Sequence, residues 1–244
     1  MPPTIYERAL ELVPDQSVIG LGSGRASSAF VRALGERVRA GQLRVRGVPT
    51  SEGTAALARE VGIPLLTLAE AGMLALTVDG ADEVDPRLDL IKGYGRALVR
   101  EKVVAASSQK LIILVGEEKL VPVLGARGKL PVEVVPFALS LCERRLRELG
   151  CQPVLYRRAD GSPFLTDNGN IILDCAVQPI PNPAALDAAI LAIPGSVGTG
   201  LFIGMADTVL VGDRENFRLL DEKTRPPSGA QAEAGFTRPP APPP

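Results

Sequence analysis

Three charged residues stand where short apolar stretches give way to turns, Asp79 and Asp82 in V-D-G-A-D-E-V-D and Lys92 in L-I-K-G-Y-G, and a fourth, Glu101 in R-E-K, lies on the helix expected after the lysine turn. The chain has no histidine. That removes Ser-His-Asp and Cys-His catalysis, H-E-x-x-H zinc chemistry and imidazole proton shuttling together. Any catalysis must run on carboxylates, amines, guanidinium groups and hydroxyls. Carboxylates crowded at one strand end raise one another's pKa, which gives a purely structural segment little reason to hold them. The alternatives are an acidic solvated loop or a divalent-metal site. Lys92, close behind, competes for the same carboxylates and weighs against a metal.

A further segment, G-L-G-S-G-R-A-S-S at 20–28, lies between an apolar strand and an amphipathic helix. A glycine turn there exposes backbone N–H groups at a helix N-terminus, a fit for phosphate. Ser23, Ser27 and Ser28 offer hydroxyl donors and Arg25 offers charge. A plain structural turn and a dinucleotide site are the other readings. The dinucleotide fingerprint needs G-x-G-x-x-G and an acid near the end of the second strand. Here Ser27 takes the place of the last glycine, and 45–49 holds no acid. Alone, the glycine loop is not specific. Three such loops at strand ends would converge on one cleft with a phosphate cradle, carboxylates and a lysine. That set suits proton transfer next to a carbonyl: a carboxylate takes the C2 proton of a sugar, and cationic groups stabilise the enediolate oxygen. A remote phosphate adds binding energy that positions the reacting carbons.

The elements that must position these residues follow from the hydrophobic pattern. Strands are expected at 17–21, 43–48, 74–79 and 111–115, and helices at 26–40, 52–61 and 97–107. Strand–helix alternation predicts an α/β fold with a doubly wound, mostly parallel, Rossmann-like sheet. Beyond residue 130 the texture changes, with strands at 130–135, 153–157 and 196–202 and helices at 138–149 and 183–192. The D-N-G-N segment at 167–170, flanked by F-L-T and I-I-L, predicts a hairpin. A strand at 208–211 returns to the first sheet. The expected organisation is therefore a discontinuous catalytic domain, 1–129 plus 205–220, and a smaller α+β domain, 130–204. The proline-rich segment 225–244 has seven prolines and too little apolar content to offset chain entropy, so it is expected to be a disordered tail.

Composition narrows the partners. A net charge of −1 from 27 basic and 28 acidic residues argues against a nucleic-acid surface. No stretch approaches the ~18 apolar residues of a membrane span, and the N-terminus does not read as a signal peptide. Cys142, Cys151 and Cys175 form no C-x-x-C pattern and read as reduced core thiols of a cytoplasmic protein.

The segments G-L-G-S-G, D-G-A-D-E, L-I-K-G-x-G-x-A-L-x-R-E-K, L-P-V-E-V-V-P, T-D-N-G-N-x-I-L-D and I-P-G-x-V-x-x-G-L-F, in this order over about 17–212, resemble ribose-5-phosphate isomerase of type A. The resemblance implies interconversion of ribose 5-phosphate and ribulose 5-phosphate through an enediolate in the pentose phosphate pathway. It implies no metal or other cofactor, and a homo-oligomer, dimer or tetramer. By motif, Glu101 would move the proton between C1 and C2. Asp79 and Asp82 would bind sugar hydroxyls and assist ring opening, and Lys92 would stabilise the enediolate oxygen. Ser23, Gly24, Arg25 and Ala26 would form the phosphate loop. Gly80, Ala81, Gly93, Tyr94, Gly95 and Lys119 would complete the substrate site.

The chain departs from the family pattern in places. Its phosphate loop reads S-G-R-A where T-G-S-T is usual, so a hydroxyl donor is lost at Ala26. Tyr94 and Arg96 interrupt a lysine turn that is usually all glycine, which would narrow the cleft or demand another backbone conformation. The first-helix lysine of many members has no equivalent, Arg8 being the nearest basic residue. Sugar-phosphate sensors of transcription regulators share this fold resemblance, but a strand beginning near Ser17 leaves no room for their helix-turn-helix. Deamination on a related scaffold usually needs a histidine. A non-catalytic paralogue is opposed by the intact Asp79, Asp82, Lys92 and Glu101 set.

Overall fold

The computed structural model describes residues 4–212 and 217–224; the expectation for 225–244 lies outside these residues. The chain opens with a helix that the sequence pattern did not predict, α1 (Ile5–Glu11). A T-x-x-E capping box nucleates it: the Thr4 side chain accepts from the Glu7 amide while Glu7 reaches back to the Thr4 amide. Strand β1 (Ser17–Leu21), helix α2 (Arg25–Arg39), strand β2 (Val45–Pro49) and helix α3 (Glu52–Glu60) follow, within a residue or two of their expected bounds. After the short α4 (Leu68–Ala71) come β3 (Leu76–Gly80), β4 (Glu83–Val84), β5 (Leu90–Ile91), α5 (Leu98–Ala106) and β6 (Leu111–Val115).

Five parallel strands run in the order β12-β6-β3-β1-β2, where β12 is Thr208–Gly212. The expected return of the chain to this sheet is thus present, and the fold is α/β. An antiparallel strand, β13 (Phe217–Asp221), covers the β12 edge; no apolar alternation had marked it. The chain leaves β1 toward β2 on one side and reaches β3 on the other. Between β1 and β3 it therefore forms a switch point, with a crevice outside the carboxyl ends. The glycine loop and the D-G-A-D-E loop start at such ends, after β1 and β3, while the lysine turn follows β5 of a separate small sheet.

A second sheet has the order β10-β7-β9-β8, with β7 (Lys129–Val134), β8 (Gln152–Leu155), β9 (Ile171–Ala176) and β10 (Ser196–Thr199) antiparallel throughout. Helices α6 (Leu139–Glu148) and α7 (Pro183–Leu191) belong to this part. It has its own core around Leu130, Val132, Leu146, Leu173 and Ile190. The expected strand 196–202 is broken at Gly200, and β11 (Leu201–Phe202) pairs with β5 in a small third sheet with β4. Gly200 has to be bare, because an added Cβ would lie 2.4 Å from the Lys92 carbonyl oxygen.

The D-N-G-N hairpin forms its turn but not its ladder. The Thr166 amide donates to Asn170 O at 2.8 Å, yet 164–166 joins no strand, and β9 pairs with β7 and β8 instead. The reason is a buried charge: Thr166, Asn168 and Asn170 turn their side chains onto Glu133 of β7.

The first sheet packs so tightly beneath the crevice that Gly20 has no room for a side chain. A Cβ there would lie 1.9 Å from Thr77 Oγ1 and 2.6 Å from a Val104 methyl. Gly20→Ala should therefore destabilise the fold by about 1–3 kcal/mol, the usual cost of overpacking, read as a lowered urea midpoint with an unchanged m-value.

Candidate active site

The crevice is a cavity of about 490 Å³. One wall is the loop after β1. Gly24 caps α2 at φ 94°, and no side chain caps the helix. Its first-turn amides are therefore open to an anion, and no acidic residue lies in that turn. Ser23, Gly24, Arg25 and Ala26 line the cavity here, with Arg25 exposed. Ser27 does not serve as a donor to it. That hydroxyl is buried and donates to Asp79 Oδ1 at 2.9 Å. The Ser23 hydroxyl is held in a cluster with Thr50, Ser51 and Thr54 at 2.8–3.0 Å. The sequence reading missed this cluster, although Ser51 is the N-cap of α3 and P-T-S-E-G-T carries a legible capping signal.

The floor is charged. Lys92, at the end of β5, is 3% exposed, and its ammonium lies 3.0 Å from Asp79 Oδ2 and 3.2 Å from Glu101 Oε2. It also donates to Gly80 O at 2.6 Å. Desolvation works against the ammonium, but the Asp79 and Glu101 charges outweigh it and hold its pKa above the ordinary lysine value. Glu101, in the first turn of α5, is also 3% exposed. Burial raises its carboxyl to about 7, with Lys92 opposing the rise and Asp79 adding to it. Neither Asp79 Oδ2 nor Glu101 Oε2 receives a well-aligned hydrogen bond. These are contacts between charges rather than aligned hydrogen bonds.

Asp79 and Asp82 divide into different situations. Asp82 lines the cavity, with Oδ2 accepting from the Tyr94 amide at 2.9 Å. Burial raises its pKa, against that hydrogen bond and the Lys92 charge. Asp79 is 1% exposed and does not line the cavity. Its Oδ1 accepts from the Ser23 amide, Ser27 Oγ and the Gly80 amide. It thus binds the glycine loop to Lys92 from behind. Gly22 makes this possible, since a Cβ there would lie 2.2 Å from Asp79 Oδ1.

Gly80, Ala81, Gly93, Gly95 and Lys119 all line the cavity, as do Gly116 and Glu118 beside Lys119, and Ile5 and Tyr6 from α1. Arg8 points elsewhere and pairs with Glu11 at the surface. Tyr94 is the second expected site residue that does not line the cavity. Its hydroxyl donates to Lys129 O at 3.1 Å and its ring carries the Lys129 ammonium at 4.0 Å. Arg96 adopts φ 72°, the conformation glycine would take without strain. Its guanidinium forks onto Asp174 at 2.5 and 2.9 Å and stacks 3.6 Å over Tyr156. The bulky residues of the lysine turn thus leave the cleft and fasten the turn to the second sheet.

Among the described residues, no group of acidic or cysteine side chains is arranged to hold a metal ion. The place between Asp79 and Glu101 that a cation would take is filled by the Lys92 ammonium. This arrangement can move a proton, offset an adjacent oxyanion and hold an anionic group some distance away.

Comparison with known proteins agrees with that chemistry. The family model of ribose 5-phosphate isomerase A (phosphoriboisomerase A) matches residues 46–216. The ribose-5-phosphate isomerase A of Roseiflexus castenholzii is 53% identical over 206 residues, 84% of this chain and 88% of the relative. The solved ribose 5-phosphate isomerase A of Methanocaldococcus jannaschii superposes with a TM-score of 0.85 at 39% identity, over 90% of this chain and 97% of that one. A D-ribose-5-phosphate isomerase structure in complex with phospho-erythronic acid gives 0.86 at 37% identity, covering 89% and 96%. A chain matched by this family model over most of its length, and half identical to a curated member, belongs to the ribose-5-phosphate isomerase A family.

Proposed function

We propose that the chain interconverts D-ribose 5-phosphate and D-ribulose 5-phosphate through an enediolate, with Glu101 as the base that carries the proton between C2 and C1. The observation that carries this reading is the buried Glu101–Lys92 pair in the floor of a cleft whose wall is an uncapped helix N-terminus. The phospho-erythronic acid bound by a relative joins a carboxylate to a phosphate, and this cleft offers partners for both ends.

Phosphate binds the open amides of Gly24 to Ala26, the Ser23 amide being taken by Asp79, with Arg25 and Lys119 adding charge. Asp82, which faces the cavity, accepts a sugar hydroxyl and assists ring opening. Asp79 acts through the groups it holds, fixing Lys92 and the glycine loop. Glu101 then removes the C2 proton. As it does, negative charge passes from Glu101 to the substrate oxygen, and Lys92 meets that charge where it has moved. A hydroxyl proton passes from O2 to O1 of the enediolate, and Glu101 returns the carbon proton to C1. The activity belongs to the non-oxidative pentose phosphate pathway and needs no metal.

The same reading divides the chain into a catalytic part, 1–129 with 205–220, and a smaller part, 130–204, supported by two sheets with separate cores. A homo-oligomer is supported by apolar side chains left exposed, among them Phe137 at 100% and Val154 at 65%. No described helix is long and apolar enough to cross a membrane. A cytoplasmic setting is supported by the free, buried Cys142, Cys151 and Cys175.

The direct test is conversion of ribose 5-phosphate to ribulose 5-phosphate by purified protein with EDTA present. Turnover that survives the chelator is expected; none from well-folded protein would overturn the proposal. Glu101→Gln should lower kcat roughly 10²- to 10⁴-fold, the usual share of a general base, with ribose 5-phosphate still bound in calorimetry. Near-normal turnover would remove Glu101 from its role. The base works as a carboxylate, and burial raises its pKa to about 7, so kcat/KM should rise with pH through about 7 and fall below it. A flat profile between pH 6 and 8 would refute this. Arg25→Ala should raise KM about tenfold, as expected for one charge-assisted hydrogen bond, with kcat little changed; an unchanged KM removes Arg25 from the phosphate site.

A further inference from the structure

The turn at 166–170 takes part in no step of that reaction, yet it is built around a charge. Glu133 is fully buried, and its Oε1 accepts from Thr166 Oγ1 at 3.1 Å, Asn168 Nδ2 at 3.0 Å and Asn170 Nδ2 at 2.9 Å. Three donors converge on this one oxygen, while Oε2 is buried without a hydrogen bond; a buried carboxylate is costly without such donors, so the turn is held in one shape by the group beneath it. Its tip reaches the first sheet. Asp167 Oδ2 accepts from the Glu52 amide at 2.9 Å, where α3 begins. Arg100 on α5 donates from Nε to Asn168 Oδ1 at 2.9 Å, from Nη2 to Asp167 O at 2.7 Å, and from Nη1 to Glu52 Oε1 at 2.9 Å. Both gripped elements lead into the cleft. Arg100 directly precedes Glu101, and Glu52 follows Ser51, whose Oγ accepts from Ser23 Oγ at 2.8 Å in the glycine loop.

We propose that Arg100 and the Asp167–Asn168 tip form a strut that fixes α5 against the start of α3, and that Arg100 and Asp167 are positioning residues for Glu101 in the isomerisation. The proposal rests on the reading of the site given above. It assigns the second sheet a part in catalysis without placing any of its residues on the substrate. The Arg100 side chain is 33% exposed and that of Glu52 68%, and exposed pairs contribute little to stability. The strut therefore acts on geometry: its loss lets Glu101 drift, and a displacement of about 1 Å costs about 10²-fold in rate.

The test is a double-mutant cycle with ribose 5-phosphate as substrate. Arg100→Ala and Asp167→Ala should each lower kcat by about 10- to 100-fold, with KM and the melting temperature little changed. The double variant should be no slower than the slower single one, since Arg100→Ala breaks the α5 end and Asp167→Ala the α3 end of one path through the tip. Asp167→Asn keeps a side-chain oxygen for the Glu52 amide, which Asp167→Ala does not, and should restore turnover. Single variants with wild-type kcat, additive losses, or losses that track a falling melting temperature would each overturn the strut. If the unaltered enzyme turns over and Glu101→Gln does not, while Arg100→Ala is unaffected, the strut alone fails. An inactive unaltered enzyme overturns both.

Discussion

An ammonium and two carboxylates are taken out of water together at the end of β3 and β5, and the rest of the site is arranged around that constraint. Lys92, Asp79 and Glu101 are each 1–3% exposed. Unit charges about 3 Å apart interact by about 5 kcal/mol at an effective dielectric of about 20. That is the same order as the several kcal/mol needed to desolvate each ion. The cluster holds together only if all three are present, and it carries one more negative charge than positive. Glu101 is the carboxylate of the cluster that lines the cavity, and burial, with the Asp79 charge adding to it and Lys92 opposing, raises its carboxyl to about 7. The strength of the base is thus a consequence first of burial, which the shared cation only partly offsets.

That constraint explains details that look unrelated. Asp79 can spare only one oxygen for Lys92 because the other is saturated by the Ser23 amide, Ser27 and the Gly80 amide. The glycine loop and the charged floor are therefore one rigid piece, and a side chain at Gly22 would push them apart. The lysine turn must likewise stay where it is. Arg96 holds a backbone conformation that costs of order 1 kcal/mol or more for a residue with a Cβ. The bidentate bond to Asp174 and the stack on Tyr156 offset that strain.

Much of this was legible from the residues because strand ends are where apolar patterns stop. Asp79, Lys92 and Gly22 to Gly24 all follow buried runs, so the parallel sheet and its loops could be placed together, and Glu101 fell on the helix beside them. The side-chain directions were not legible. Nothing in D-G-A-D says that Asp79 faces the protein while Asp82 faces the cavity; that follows from contacts made far along the chain, Asp79 to Ser23 and Ser27 and Asp82 to the Tyr94 amide. Ser27 read as a donor to phosphate because a hydroxyl at a helix start is ambiguous until the Asp79 carboxylate beneath it is known. The hairpin at 167–170 failed as a ladder because its cue is local, while Glu133, which draws the turn inward, lies more than thirty residues earlier. Strand β13 gave no alternation because an edge strand buries little of either face.

The two sheets therefore contribute differently to one site. The parallel sheet brings charge to a point, as open sheets do at a switch point, but charge of this kind repels as much as it attracts and does not fix its own geometry. The second part of the chain supplies fixity through attachments that include Arg96 to Asp174, Tyr94 to the Lys129 carbonyl, and the Asp167–Asn168 tip to Arg100. Each attaches a residue adjoining the charged floor, and none lies in the cavity itself. A base whose pKa is raised by dryness is sensitive to any movement that admits water, because rehydration stabilises the carboxylate and weakens it as a base. Fastening the lysine turn and α5 from outside keeps the floor dry without filling the space that the substrate needs.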